Sequence, residues 1–128
     1  MFSHATLGSS DLDTARRFYD PLMEALGFKL KFADERWMGW KPPASDRPLF
    51  IVMRPFNRQP VSVGNGQMIA FLAESRSKVD LCHALAIEHG GTCEGRPGLR
   101  PEYHPNYYGA YFRDPDGNKV CVCCHDAG

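Results

Sequence analysis

The chain has 128 residues, and its 15 basic and 15 acidic side chains cancel to a formal net charge of zero at pH 7. This length fits one domain, or two small halves that share a core. Lys and Arg are scattered along the chain, so no basic field is available to attract nucleic acid or anionic lipid. No apolar run approaches the roughly 20 residues that a membrane span needs. We therefore expect neither nucleic-acid nor membrane partners. The first residues lack a charged leader followed by a long apolar block, which predicts a cytoplasmic location.

The first half of the chain predicts one strand, one helix and three further strands. Residues 2–8 favour a strand, and residues 9–11 offer Ser and Asp caps for a helix with one apolar face that ends at Gly27. Pro21 lies inside this helix, where its ring should distort or split it. The three further strands are predicted over residues 28–33, 36–41 and 49–54.

The second half repeats this order of elements. A strand over residues 67–73 precedes a helix capped by Ser75, and a weak strand and a terminal hairpin follow. A shift of 64 residues lays His4 on Met68 and Gly27 on Gly91. The alternative is two unrelated stretches of strand and helix. The predicted organisation is a single domain built from a module over 1–55, a linker over 56–65 rich in Pro, Asn, Gln and Gly, and a module over 66–128.

The repeat predicts an α+β fold with two tandem βαβββ modules. One helix covers only one face of a four-stranded sheet, so two modules can curl their sheets into an open cup with the helices outside. Alternate strand residues would line the cup, and pockets favour such junctions between units. A small-molecule ligand is the partner that this architecture favours.

The segment YFRDPDGNKV places a tight turn between two strands, because Pro presets φ, Gly accepts positive φ, and Asp and Asn bond their own backbone. Together with His4 in the first strand and the helix segment SSDLDTARRFYDPLMEALGF, it resembles the vicinal oxygen chelate superfamily. That group contains glyoxalase I, extradiol dioxygenases, fosfomycin-modifying enzymes and bleomycin-resistance proteins. The resemblance spans nearly the whole chain. It implies the same two-module cup, and it implies a homodimer.

In the metal-using members, ligands come from the first and last strands of each module. His4 matches the first of these positions, and Cys121 stands where a Glu is usual. The counterpart of His4 is Met68, and that of Cys121 is Ile51 or Val52. The resemblance therefore implies an incomplete set for a divalent ion (Zn, Ni, Mn or Fe), with His4 and Cys121 as the candidate ligands. A site without metal is the alternative.

Two residues are candidates for catalysis. His104 lies in a loop rich in Tyr and has an imidazole suited to general acid or base chemistry. Cys121 is a candidate nucleophile, or else a small buried apolar residue. His125 is predicted to face solvent. The predicted pocket residues are His4, Trp40, Phe50, Met68, Tyr107, Tyr111 and Cys123.

Three functions remain open at this stage. A metal-dependent glyoxalase-like lyase or dioxygenase would bind a substrate with vicinal oxygens and stabilise its anion. A metal-free protein of the bleomycin-resistance kind would sequester an aromatic or amphipathic small molecule. A thiol-dependent activity at Cys121 is the third. The sequence leaves open whether the protein is an enzyme.

Overall fold

The structure is a computed structural model that describes all 128 residues. It contains two helices, α1 (Leu12–Leu26) and α2 (Arg76–Glu88). The eight strands are β1 (His4–Gly8), β2 (Lys29–Ala33), β3 (Trp37–Lys41), β4 (Leu49–Met53), β5 (Ile69–Leu72), β6 (Thr92–Leu99), β7 (Tyr108–Arg113) and β8 (Lys119–Cys124). Neither helix combines the length and the apolar character needed to cross a membrane.

The helix α1 begins and ends where the sequence predicts, but Pro21 does not split it. The Asp11 carboxylate accepts hydrogen bonds from the Asp13 and Thr14 amides, and Gly27 ends the helix in the left-handed region at φ 83°. Between them the helix is continuous over 15 residues. An internal Pro costs about 3 kcal/mol. The side chains that α1 buries on both sides of Pro21 offset this cost by packing in the core.

The two halves form two sheets with the same strand order. The first is β1-β4-β3-β2 and the second is β5-β8-β7-β6. In each, the first strand runs parallel to the last strand of its module, and the other neighbours are antiparallel. The predicted α+β fold with two βαβββ modules and an open cup is therefore confirmed. The module boundaries at 1–55 and 66–128 stay a prediction.

One hydrophobic core joins the modules. A cluster of 20 buried residues takes side chains from both helices and from one face of each sheet. The helices pack on each other, and the Phe18 ring of α1 reaches Phe112 of β7, with ring centroids 6.0 Å apart. The opposite faces of the two sheets are turned away from the helices. We call these two faces the inner face.

A buried polar cluster fixes the second module against the first. The Tyr19 hydroxyl of α1 donates to Asp114 Oδ2 at 2.7 Å, and the Asn118 side chain donates to Asp114 Oδ2 and to the Gly8 carbonyl, each at 2.9 Å. Asp114 is only 4% exposed. Burial raises the pKa of Asp114, and the hydrogen bonds from Tyr19 and Asn118 oppose that rise. The DPDGN turn thus both closes the last hairpin and contacts the first module.

The hydrogen bond between Tyr19 and Asp114 gives a stability prediction. Tyr19→Phe leaves one oxygen of a buried carboxyl with fewer donors, which should lower the free energy of unfolding by about 1–3 kcal/mol. The matched control is Tyr108→Phe, whose hydroxyl bonds the exposed Asp80 at 2.6 Å and should matter much less. Urea unfolding measures both, with an unchanged slope expected for each. Equal losses in the two variants would contradict a special role for the buried cluster.

Candidate functional site

Strand alternation decides which side chains line the cup. In β8, Val120 and Val122 belong to the core, so Cys121 and Cys123 lie on the inner face. In β4, Phe50 and Val52 belong to the core, so the other residues of that strand lie on the inner face.

Two residues predicted to line the pocket lie on the other side of their sheet. Trp40 and Phe50 are 1% and 2% exposed and pack in the core. The Tyr19 ring of α1 packs in the same core, with its centroid 5.1 Å from that of Phe50. The assignment of Trp40 and Phe50 to the pocket is therefore wrong. Trp37, which is 37% exposed on the inner face, occupies the cup wall of β3 instead.

The parallel strand pairs resolve which residue of the first module corresponds to Cys121. Thr6 of β1 pairs with Ile51 of β4, and Ala70 of β5 pairs with Cys121 of β8. Thr6 and Ala70 are related by the same shift of 64 residues that relates His4 to Met68. The counterpart of Cys121 is therefore Ile51 and not Val52, which is buried in the core.

The positions that correspond to metal ligands in the metal-using relatives are His4, Ile51, Met68 and Cys121. They do not make a site for a hard divalent ion. Ile51 offers no donor atom, and Met68 offers only a thioether. His4 is exposed, and its Nδ1 lies 2.9 Å from the Ser3 hydroxyl. Catalytic zinc usually takes three protein ligands, and no three His, Cys, Asp or Glu side chains come close enough to hold an ion. The donor set of this chain therefore does not fit the metal that the resemblance implies.

The inner face of the second sheet carries a connected group of hydroxyls and thiols. The Tyr107 and Tyr111 hydroxyls lie 2.9 Å apart, and the Tyr107 hydroxyl lies 3.5 Å from Cys121 Sγ. Burial raises the pKa of Tyr107, so its phenol stays protonated at neutral pH. A hydrogen bond to Cys123, together with burial, raises the pKa of Cys121, which therefore stays a neutral thiol. Four of the residues predicted from sequence thus meet here.

His104 also belongs to this group, through a residue that the sequence analysis missed. Its Nε2 lies 2.8 Å from Nδ1 of His125, and His125 Nε2 lies 3.7 Å from Cys123 Sγ. His125 is exposed, as predicted, but it is also bonded on both ring nitrogens. A signal was available, because Cys123 and His125 are two positions apart at the end of a strand and therefore share a face.

Two cations flank the same surface. The Arg100 guanidinium and the Lys119 ammonium lie 5.5 Å and 5.8 Å from the centroid of the Tyr111 ring. The face of an aromatic ring attracts cations, so these contacts hold positive charge beside Tyr111. The second sheet therefore supplies the polar half of the cup.

The first sheet supplies the apolar half. Phe32 packs beside Trp37, with ring centroids 5.3 Å apart, and Leu49 and Ile51 continue the surface along β4. On the edge of the second sheet, Leu72 is 70% exposed although it is a large aliphatic side chain. An apolar surface of this kind suits an aromatic or aliphatic ligand.

A separate cleft lies away from the inner face. A cleft of about 820 Å³ opens beneath the linker at the end of β4, where Arg36, Arg54 and Arg58 reach it. It is open to solvent and contains none of the residues predicted for the site. The Arg54 side chain there donates to the Glu35 carbonyl at 3.0 Å. We therefore place the candidate site on the inner face, where the titratable and aromatic groups converge.

A family model described as the Glyoxalase/Bleomycin resistance protein/Dioxygenase superfamily matches residues 1–122. A glyoxalase/bleomycin resistance protein from Albidiferax ferrireducens T118 is 39% identical and has a TM-score of 0.86, over 98% of this chain and 99% of that one.

More distant structures share the fold. A glyoxalase-related enzyme from Fulvimarina pelagi is 19% identical, with a TM-score of 0.75 over 97% of this chain and 87% of that one. Lactoylglutathione lyase from Agrobacterium tumefaciens is 20% identical, with a TM-score of 0.65 over 97% and 92%. No curated protein matches this chain. The family model and the relative from Albidiferax ferrireducens establish that the chain belongs to the Glyoxalase/Bleomycin resistance protein/Dioxygenase superfamily.

Proposed function

We propose that this protein binds a small aromatic or amphipathic molecule in its cup without the help of a metal ion. The observation that carries the proposal is the pair Ile51 and Met68, which occupy two of the four positions where metal-using relatives place ligands. Apolar and thioether groups there do not hold a hard cation, but they do make contact with a ring or an aliphatic chain. In this protein the cup floor is suited to binding by burial of apolar surface.

The two halves of the cup offer different kinds of contact to a ligand. Trp37 and Ile51 of the first sheet offer apolar contact, and aromatic side chains supply much of the affinity of such sites. The hydroxyls of Tyr107 and Tyr111 offer hydrogen bonds. The two cations beside the Tyr111 ring offer positive charge. A planar ligand with a polar or anionic group at one end fits this division.

The metal-dependent lyase or dioxygenase that the resemblance implies remains the competing hypothesis. It requires at least three donors around one ion, and within this chain only His4 and Cys121 stand at the ligand positions as nitrogen or sulfur donors of the usual kinds.

The metal content of the protein distinguishes the two hypotheses. Protein purified without chelator should carry far less than one Zn, Ni, Mn or Fe per chain, because its donor set is incomplete. Inductively coupled plasma mass spectrometry measures this, and His4→Ala should leave both the metal content and the melting temperature unchanged. About one ion per chain that disappears in His4→Ala would establish a metal site and overturn the proposal.

A charge placed on the inner face should weaken ligand binding. Leu72 is exposed on the inner face, so Leu72→Glu should fold normally and weaken the binding of the amphipathic probe anilinonaphthalene sulfonate by about tenfold or more, because it puts a carboxylate into the apolar wall. Leu81→Glu is the matched control, since Leu81 is 44% exposed on α2, outside the cup. Fluorescence titration gives both affinities. Equal binding by wild type and Leu72→Glu would exclude the inner face as the binding site.

We also propose that the protein is a cytoplasmic homodimer. Leu72 and Met68 are 70% and 42% exposed at the edge of the cup, and a second copy would remove this apolar surface from water. Sedimentation velocity at micromolar concentration should give twice the chain mass for wild type, and Leu72→Glu should shift the equilibrium towards the monomer. A wild-type protein that is monomeric at every concentration tested would contradict the dimer and would leave the binding proposal untouched.

A further inference from the structure

Three arginines line the cleft that opens beneath the linker. Arg36 lies between β2 and β3, Arg54 follows β4, and Arg58 belongs to the linker, so three separate segments each contribute an arginine to one concavity. All three residues are exposed. The volume of the cleft, about 820 Å³, is that of a small-molecule pocket, for which roughly 300–1,000 Å³ is usual. We call this concavity the arginine cleft.

No carboxylate neutralises these arginines. The three salt bridges of the molecule are formed by other side chains, so none of the three guanidinium groups is paired with an acidic residue. Glu35 is the one acidic residue of the lining, and the wall therefore has an excess of two positive charges. Guanidinium groups recognise carboxylate and phosphate oxygens through paired hydrogen bonds. The lining therefore points to an oxoanion as the ligand.

The arginines keep most of their donors available to a ligand. Arg54 Nε donates to the Glu35 carbonyl at 3.0 Å, and its two terminal nitrogens have no partner in the chain. The Arg36 guanidinium lies 5.6 Å from the centroid of the Trp37 ring, and neither it nor that of Arg58 donates to another residue. Each guanidinium has five N–H donors in a planar fork. These groups can therefore bind an anion without breaking a hydrogen bond of the fold.

The start of α1 also borders the cleft, but it is already occupied by acidic groups. The amide of Ser10, a lining residue, donates to Asp116 Oδ1 at 2.9 Å. The Asp11 carboxylate caps the first amides of the helix. Both carboxylates would repel an anion at this end of the cleft. A bound anion is therefore expected beside the arginines and not at the helix terminus.

The lining of the cleft also includes an exposed aromatic ring. Phe56 is 87% exposed, so its ring lies almost wholly in water. Pro55 and Pro60 line the same part of the cleft, and their fixed φ angles restrict the segment that presents the ring. An aromatic side chain in this position can stack on a ring attached to the bound anion.

We propose that the arginine cleft binds the phosphate group of a small aromatic phosphate ester. A phosphate monoester has between about 1.5 and 2 negative charges at pH 7, close to the excess positive charge of the wall, and its oxygens can accept from more than one guanidinium. A carboxylate has one charge and two oxygens, so it would leave part of this charge uncompensated. The arginine cleft is a second binding site, and it does not depend on the ligand proposed for the inner face.

Calorimetric titration with phenyl phosphate at low ionic strength tests the site. Wild type should bind with a dissociation constant below about 1 mM. Arg36→Gln and Arg58→Gln should each weaken binding about fivefold or more, because each removes a charged donor of the ligand. Arg96→Gln is the matched control, since Arg96 is exposed on β6, forms no salt bridge and does not line the cleft. Absence of binding by wild type, or equal affinities for wild type and Arg36→Gln, would overturn the proposal.

Removal of the acidic residue should have the opposite effect. Glu35→Gln should strengthen phenyl phosphate binding about two- to threefold, because it removes a charge of the same sign as the ligand. A damaged fold would not improve binding, so this variant separates an electrostatic effect from a structural one. Unchanged or weaker binding by Glu35→Gln would contradict the assignment of the anion to this cleft.

Two comparisons test the ligand class. Benzoate has a ring but only one charge, and it should bind about tenfold more weakly than phenyl phosphate. Phe56→Ala should weaken the binding of phenyl phosphate and leave that of inorganic phosphate unchanged, because only the first has a ring to contact Phe56. Equal affinities for benzoate and phenyl phosphate would refute the preference for phosphate. An unchanged affinity of Phe56→Ala for phenyl phosphate would refute the aromatic contact.

The arginine of the inner face distinguishes the two sites. Arg100 lies beside Tyr111 in the cup and does not line the arginine cleft. If phenyl phosphate binding is weakened by Arg100→Gln and not by Arg36→Gln, the anion binds in the cup and the proposal is wrong. The reverse result supports the arginine cleft, whatever molecule binds to the inner face.

Discussion

The hydrogen bonds of Asp114 are the constraint on which the relation of the two modules depends. This buried carboxyl belongs to the DPDGN turn of the second module, yet it accepts a hydrogen bond from the hydroxyl of Tyr19 in the first. Asn118, four residues later, bonds the same carboxyl and the backbone of Gly8 at the end of β1. A buried polar group that loses its partners costs more than an apolar contact, so this turn can take few other positions. The orientation of β8, and hence of its thiols, follows from it.

The division of each sheet into a core face and an inner face explains how the ligand positions could change. Phe50 and Val122 pack with the helices, and the fold requires these side chains to be apolar and close-packed. Ile51 and Cys121 are their neighbours in sequence but face the cup, where stability demands less of them. A carboxylate can therefore be replaced by a thiol on this face without loss of the core. The same superfamily architecture accepts different chemistry on one side of a fixed scaffold.

The inner face is asymmetric although the modules repeat. The first sheet presents rings and aliphatic chains, and the second presents hydroxyls, thiols and imidazoles. Tyr107 contacts Tyr111 and Cys121, and His125 contacts Cys123 and His104. Burial raises the pKa of both Tyr107 and Tyr111, so these two phenols stay protonated at neutral pH. Apolar contact on one side of the cup and polar groups on the other suit a ligand with an apolar and a polar end.

The sequence by itself determined the local structure and the repeat, because caps, turn residues and apolar spacing act over a few neighbouring positions. Asp11, Gly27 and the DPDGN turn function as predicted. Pro21 does not break α1, because the burial of the apolar side chains of this helix outweighs the local preference of proline against a helix interior. The strand sequence of β4 is apolar throughout, so no alternation revealed that Phe50 faces the helices. Only the tertiary structure decided this, as well as the contact between His104 and His125, which are 21 residues apart and meet because the loop before β7 folds back beside the end of β8.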